Sequence, residues 1–214
     1  MTKETILCMF SGGVDSAGAL HKLMTDDAYL DKDLIIHHIL LQNRENRAKA
    51  EIEAVRKILK YYQDNHADRP FTYTQSLFST EGFAPLRGNR FPFDMDVCAF
   101  TAGNIAVIRK DVRYIAMGRT KTDIETSANS DFQARMARAQ KVFQSVYSLE
   151  IEIPPEYIFP VADMVKEEIW NALPVPVREA CWYCRRPIYQ KDGSAISCNK
   201  CSTCKTMLEF MPHG

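Results

Sequence analysis

The stretch Ile6-Leu7-Cys8-Met9-Phe10-Ser11-Gly12-Gly13-Val14-Asp15-Ser16 decides the fold. Ile6 to Phe10 is an apolar run of strand length that breaks at Ser11-Gly12-Gly13. From Asp15 to Leu23 the pattern turns helical, with Leu20 and Leu23 on one face. A strand that breaks into Gly-Gly and opens into a helix gathers free backbone N–H groups and the positive helix end at one point. That is an anion site suited to the phosphates of a nucleotide. Gly12 and Gly13 let backbone approach closely and take unusual torsions. Ser11 and Ser16 add hydroxyls, and Asp15 is positioned to cap the helix or to meet a magnesium ion carried by the nucleotide. The Walker spacing is absent, so this is not a kinase-type P-loop. Taken alone, Ser-Gly-Gly is only a turn; its place between strand and helix gives it meaning.

Outward from the loop, strand and helix patterns alternate. Leu34 to Leu41 is a buried strand carrying His37 and His38, of which at least one is expected to be a satisfied interior histidine. A charged helix runs from about Arg44 to Tyr62, its buried stripe formed by Ile52, Val55, Ile58 and Leu59. Phe71 to Leu77 alternates like a strand, Val97 to Ile108 is helical, and Val112 to Met117 is a buried strand ending at Gly118. Asp131 to Tyr147 is a helix whose basic residues read as a solvent face, and Asp163 to Leu173 is a final helix, capped by Asp163 and stopped by Pro174. Gly82 to Asp96 reads as a long loop over the site. The alternation predicts an α/β fold with a parallel sheet covered on both faces. Two parts are expected: residues 1–173 as the nucleotide domain, and 174–214 as a Cys-rich, zinc-binding module packed on it.

Composition narrows the class. A chain of 214 residues buries roughly 70% of its unfolded surface and needs no disulfides. Its 27 basic and 27 acidic residues balance, so no global charge pulls it to nucleic acid or anionic membrane. No apolar run reaches the roughly 20 residues of a membrane span, and no signal-peptide cleavage site follows the N-terminus. The expectation is a soluble, cytoplasmic protein.

Of the seven cysteines, Cys8 and Cys98 sit alone in apolar surroundings as structural thiols. The other five crowd together: Cys181-x-x-Cys184, thirteen residues, then Cys198-x-x-Cys201-x-x-Cys204. In a cytosolic chain such crowding favours metal over disulfide, and four thiolates so spaced make a closed tetrahedral zinc site. An iron–sulfur reading is the lesser alternative. Five candidates compete for four places; a symmetric zinc ribbon would use Cys181, Cys184, Cys198 and Cys201.

The string Ser11-Gly12-Gly13-Val14-Asp15-Ser16 resembles the signature of the PP-loop ATP pyrophosphatases, whose sheet is of the adenine nucleotide alpha-hydrolase-like, Rossmann-like type. With the cysteines, the chain resembles the 7-cyano-7-deazaguanine synthase (QueC) family of PP-loop ligases. Gln42 to Glu51 is loosely similar to that family's Tyr-Gly-Gln-Arg-His-x-x-Glu region. Ile115-Ala116-Met117-Gly118 with Thr122-Asp123 is similar to its strand-Gly and downstream acid, and Pro160 to Ile169 to its Pro-Leu…Lys-x-Glu-Ile segment. Trp182-Tyr183-Cys184 with Cys198, Cys201 and Cys204 resembles its zinc pattern. The departures fall on the substrate side: Glu125 to Asp131 replaces Ser-Gly-Tyr-Pro-Asp-Cys-Arg, and Pro92-Phe93-Asp94-Met95 replaces Pro-Gly-Arg-Asn.

The resemblance implies a ligase that uses ATP, Mg2+ and Zn2+. A carboxylate, 7-carboxy-7-deazaguanine in that family, attacks the α-phosphate and releases pyrophosphate; ammonia or an amine then displaces AMP, and a second adenylation takes the amide to a nitrile. It implies nucleotide contacts at Phe10, Ser11, Gly12, Gly13, Val14, Asp15, Ser16 and Gly118, with adenine near Leu40, Leu41 and Gln42. Ser11, Asp15, Ser16, Asp123 and Lys166 become the catalytic candidates, with Asp123 near metal or acceptor and Lys166 near the polyphosphate. Read without the resemblance, Lys166 and Asp123 are an ordinary surface lysine and loop aspartate, and Arg119 and Lys121 are either surface charge or phosphate contacts. The zinc ligands implied are Cys184, Cys198, Cys201 and Cys204. Two other functions compete: a tRNA-modifying PP-loop sulfurtransferase, and a non-catalytic nucleotide-binding regulator that holds a partner through its zinc module. A homodimer, a protein partner and a nucleic-acid partner all stay open; a membrane partner does not.

Overall fold

A computed structural model of the chain describes residues 3–86, 93–125, 130–147 and 153–211. Strand β1 (Thr5–Met9) is buried along its whole length, because its near-continuous apolar run suits a strand covered on both faces. It pairs in parallel with β2 (Asp33–Gln42) and with β4 (Val112–Ala116). β3 (Thr72–Ser79) extends the sheet beyond β2, and β5 (Glu156–Ile158) beyond β4, again in parallel. The order is therefore β3-β2-β1-β4-β5.

Helices cover both faces. On one, α1 (Val14–Thr25) and α3 (Ala48–Asn65) pack with α7 (Lys166–Ala172) and α8 (Val175–Ala180); α2 (Asp27–Leu30) is a single turn after α1. Val55, Ile58, Leu59 and Ile52 of α3 face this core as their spacing predicts. On the other face α4 (Asp94–Ile108) and α6 (Ser130–Tyr147) close a second core around Leu7, Ile115 and Phe143. The short α5 (Lys121–Glu125) leaves the end of β4. The Cys-rich tail forms a two-stranded antiparallel hairpin, β6 (Ile188–Tyr189) with β7 (Ala195–Ile196), and α9 (Ser202–Leu208). Val177, Cys181 and Met207 belong to the same core as β1, so apolar packing runs continuously from the sheet into the tail.

Several local expectations differ from what folds. The final sequence-predicted helix starts at Lys166, not Asp163. Asp163 instead pairs with Lys22, and Glu168 accepts the free Val165 N–H at 2.8 Å, which is the acidic half of a capping box. That helix is not the last, since Pro174 precedes α8, where its missing N–H costs nothing. Helix α4 begins at Asp94, shortening the expected loop. A 3-10 turn occupies Glu81–Leu86, and 87–92 lie outside the described residues. The divergent stretch Glu125 to Asp131 is described only at its ends, 126–129 lying outside. Among the described residues, no helix is long and apolar enough to cross a membrane.

Candidate nucleotide site and cysteine cluster

The strand order reverses between β1 and β4. In open parallel sheets the crevice outside the carboxyl ends of the strands at such a reversal is where ligands bind. Ser11 to Ser16 lies there, between β1 and α1. Gly12 takes φ +77°, a left-handed conformation that favours glycine, and an added Cβ would meet Val55 of α3 at 3.0 Å. Ser16 Oγ donates to Gly13 O at 3.0 Å and stands 3.0 Å from Ser11 Oγ. These two hydroxyls lock the loop upon itself. Helix α1 has no side-chain cap, so the N–H groups of its first turn keep no intrahelical acceptor and point at the crevice.

The structure brings Lys166 to this loop. Its ammonium pairs with Asp15 Oδ2 at 3.0 Å, although the two residues lie on helices far apart in sequence. Lys166 is thus not a solvated surface lysine, and Asp15 lies inside the first turn instead of capping the helix. Burial pushes the Asp15 carboxyl upward while Lys166 draws it back. Asp15 Oδ1 is buried with no hydrogen-bond partner among the described residues. Gly118 packs against the loop so closely that an added Cβ would stand 2.4 Å from the Asp15 carbonyl carbon. Asp123 is turned to local use: its Oδ2 accepts from Thr120 N at 3.0 Å and Thr120 Oγ1 at 2.9 Å. Phe10 and Val14 are buried beneath the loop. Of the β2 end, Leu41 lines the crevice, Leu40 packs on the main core, and the Gln42 carbonyl accepts from Thr80 N at 3.0 Å.

The crevice has two lobes that share Ser11, Gly13, Asp15, Arg47 and Glu51. One, of about 260 Å³, runs along the ends of β1, β2 and β4 past His37, His38 and Leu41. The other, of about 250 Å³, opens toward Lys166, Tyr183 and Arg185. His37 is the satisfied interior histidine, bonded to Thr74 Oγ1 at 2.8 Å and Ser76 Oγ at 3.0 Å; burial holds it down to about 4. His38 Nδ1 donates to the Phe10 carbonyl at 2.9 Å, since a carbonyl can only accept. That leaves His38 Nε2 a bare acceptor, buried and unpartnered among the described residues.

Sequence reading missed a charge network at the floor of both lobes. Arg47 forms ion pairs with Glu45 at 3.0 Å, with Glu51 at 3.2 Å and also with Asp94, and Arg185 reaches Glu45 at 2.7 Å. Arg47 and Glu51 stand at i,i+4, and Glu51 precedes Val55 and Ile58 by four and seven residues, which puts it on the buried face of α3; Asp94 and Arg185 had no such signal. Burial raises the Glu51 carboxyl from its ordinary 4.5 to about 7, against the pull of Arg47. A carboxyl raised on folding contributes stability that is present below its unfolded pKa and lost as pH rises through the folded one. Between pH 5 and pH 8 the wild type should therefore lose up to about 3 kcal/mol relative to Glu51→Gln. Urea denaturation of both proteins at the two pH values checks this.

The cysteine question resolves geometrically. The Sγ atoms of Cys184, Cys198, Cys201 and Cys204 all lie within 4.8 Å of one another. Cys181 is apart from them, buried in the main core with its thiol donating to Val177 O at 3.3 Å, so the symmetric ribbon set is not the one assembled. Four sulfurs around one zinc at about 2.3 Å stand about 3.8 Å apart, and Cys198 and Cys204 are 3.9 Å apart. Backbone N–H groups of Arg186 and Cys198 point at Cys184 Sγ, and those of Lys200 and Cys201 at Cys198 Sγ. Such donors stabilise thiolate over thiol and orient ligands; they hold Cys198 down to about 6. The quartet fits a metal ion. It is also tied to the loop: Trp182 N donates to Gly12 O at 2.9 Å, and Trp182 Nε1 to Cys184 O at 2.8 Å.

Among solved structures, the U34-tRNA thiolase NcsA from Methanococcus maripaludis with its [4Fe-4S] cluster matches at TM-score 0.53 and 14% identity, over 96% of this chain and 63% of that one. The likeness is one of fold: α/β, with a five-stranded parallel sheet of Rossmann-like type. A protein from the universal stress protein family of Burkholderia pseudomallei matches at TM-score 0.39 and 15% identity, over 73% of this chain and 96% of that one. No family model matches the chain, and no curated protein does. The chain thus spans less than two thirds of the thiolase's length.

Proposed function

We propose that this chain binds ATP on the Ser11–Ser16 loop, cleaves it between the α- and β-phosphates, and transfers AMP to the carboxylate of an acceptor. The observation that carries the reading is the convergence at one point of an uncapped helix start, Gly12 at positive φ, Gly118 against the loop, and Lys166 beside Asp15. Pyrophosphate leaves from a cradle of loop N–H groups, Ser11 and Ser16, with Lys166 meeting its charge. The carboxylate oxygen bonds to the α-phosphorus as the bond to the bridging oxygen breaks, and that oxygen leaves with its electron pair on pyrophosphate. Ammonia or an amine then attacks the acyl carbon and AMP departs. The protein's part is orientation and charge stabilisation. Magnesium, when it comes with the nucleotide, neutralises phosphate charge, and Asp15 with its unpartnered Oδ1 is the residue that would meet it. The adenine is assigned to the lobe by Leu41 and His38, where Nε2 would accept from an exocyclic amine.

The cysteine quartet is read as structural zinc, held by Cys184, Cys198, Cys201 and Cys204 with no open position. Zinc there would brace the segment that clips Gly12. The terminal thiolates of a [4Fe-4S] cluster sit on separate irons and stand farther apart than this quartet. That spacing favours zinc over a cluster, while the likeness to NcsA raises a second reading, sulfur transfer to a tRNA base.

The test is product analysis with ATP and a panel of carboxylates. AMP and pyrophosphate in equal amounts are expected, with Lys166→Met lowering the rate by at least about 100-fold, as the loss of one preorganised charge contact does. ADP and phosphate would overturn the reading. AMP formed only with tRNA, with binding that weakens steeply with salt, would establish the thiolase alternative.

A further inference from the structure

From Val97 to Ile108, helix α4 carries no Asp, Glu, Lys or Arg. A helix with no charged face is built to be covered on every side. Its inner side is covered, with Ala99, Ala102 and Ala106 buried. On one flank Gly103 meets α6 so closely that an added Cβ would stand 2.9 Å from Val146 Cβ. The outer side has no cover among the described residues. Phe100 is 52% exposed and Ile108 77%, and Asn104, also exposed, lies midway between them. The three stand four residues apart, which sets them in one ridge along the helix. Thr101 and Val107 flank that ridge, half-buried. One exposed apolar side chain needs no explanation, whereas a whole helix face without charge does.

We propose that this face pairs two copies of the chain, α4 against α4, antiparallel across a two-fold axis at Asn104. An isologous contact needs a surface that complements itself, and this one reads alike from both directions. With Asn104 on the axis, Phe100 comes opposite Ile108 of the second copy, and Thr101 opposite its Val107. Apolar thus meets apolar, and one β-branched side chain meets another. Asn104 complements itself too, since an amide both donates and accepts. Its Nδ2 donates one hydrogen to Phe100 O at 2.8 Å, leaving the second hydrogen and Oδ1 uncommitted among the described residues. A polar residue at the centre of an apolar seam fixes its register. The ends agree with that register. Lys110, exposed just past the last turn, comes opposite the start of the second helix, whose first turn carries Asp94 and Asp96. Each of these acids holds an arginine within its own chain, and a carboxylate accepts from more than one donor. Antiparallel pairing also opposes the two helix dipoles, where a parallel pair would set like ends together. A foreign partner would make no demand for a face that repeats itself in reverse. The start of α4 lines the nucleotide crevice through Asp94, Met95 and Cys98, so the contact would brace one wall of it.

Sedimentation equilibrium over a concentration series tests this without any nucleotide, so its outcome is independent of the adenylation reading. The wild type should reach the mass of two 24.5 kDa chains as its concentration rises. Phe100→Lys and Ile108→Glu should each weaken pairing at least about tenfold, since either sets a charge against an apolar side chain. Combined in one chain, the two replacements face each other across the axis, Lys opposite Glu, twice. The double variant should therefore pair at least about tenfold more tightly than the two single losses predict by addition. Within one chain the two positions lie eight residues apart and cannot meet, so recovery reports the antiparallel register. Asn104→Arg sets like charges face to face and suits a helix, which gives an answer even where a replacement at Phe100 or Ile108 fails to fold. It should pair at least about tenfold more weakly than the wild type, and less so in high salt. A wild type that stays one chain at every concentration, a dimer that survives all three single replacements, or single losses that simply add in the double variant would overturn the proposal.

Discussion

Gly118→Ala is expected to reduce ATP turnover at least about 100-fold while leaving a folded protein. The new methyl carbon would stand 2.4 Å from the Asp15 carbonyl carbon and 2.5 Å from both the Asp15 oxygen and the Ser16 nitrogen. All three are main-chain atoms, so no rotamer change relieves the clash. Either the end of β4 retreats or the loop does. Moving the loop displaces the first-turn N–H groups and the Asp15–Lys166 pair together, and a displacement of about 1 Å in a reacting site costs on the order of 100-fold. Stability should fall by only about 1–3 kcal/mol, the usual cost of overpacking. A fluorescent ATP analogue and pyrophosphate release measure the first effect, and denaturation the second. Gly82→Ala is the matched control, since an added Cβ there meets nothing within 4 Å among the described residues; it should change neither.

The second large effect is loss of the cysteine quartet. Cys204→Ser should abolish metal binding, because a closed site tolerates no missing thiolate. Elemental analysis should find one zinc per chain in the wild type and none in the variant, whereas Cys181→Ser, outside the quartet, should retain the metal. Ligation energy at such a site is folding energy, so α9 and the β6–β7 hairpin should lose protection from hydrogen exchange. The consequence reaches further, since Trp182 links Cys184 to Gly12. Nucleotide affinity should fall at least tenfold on chelation and return when zinc is added back. Unchanged nucleotide binding in metal-free protein would show that the clip holds the loop without help from the quartet.

The parts of this molecule that were legible in its sequence are those whose signal is local. The loop could be read because an apolar strand, two glycines and a helix succeed one another without a gap, and α3 because four apolar residues repeat at helical spacing. Strand β5 could not, being three residues long, too short for any periodicity. Asp163 misled because an acidic residue before a helix is a good cap, whereas the acid in use, Glu168, lies inside the helix and reaches back. Spacing alone could not choose between Cys181 and Cys204, since both stand three positions from another cysteine; burial in the sheet-side core separates them. Lys166 meets Asp15, and Arg185 meets Glu45, only after the chain has folded. The same holds for Arg119, whose aromatic partners come from α6 and from beyond β5.

The contact from Trp182 to Gly12 is made by peptide groups at both ends. No side chain carries it, and hence no single replacement deletes it except proline at 182, which lacks the donor N–H. Sequence drift could exchange every residue of the tail except the thiolates and still inherit the clasp, provided the main chain kept its path. Grafting the tail onto another scaffold would fail for the same reason: the piece that matters is a trajectory shared with the host, and it has no boundary at which to cut.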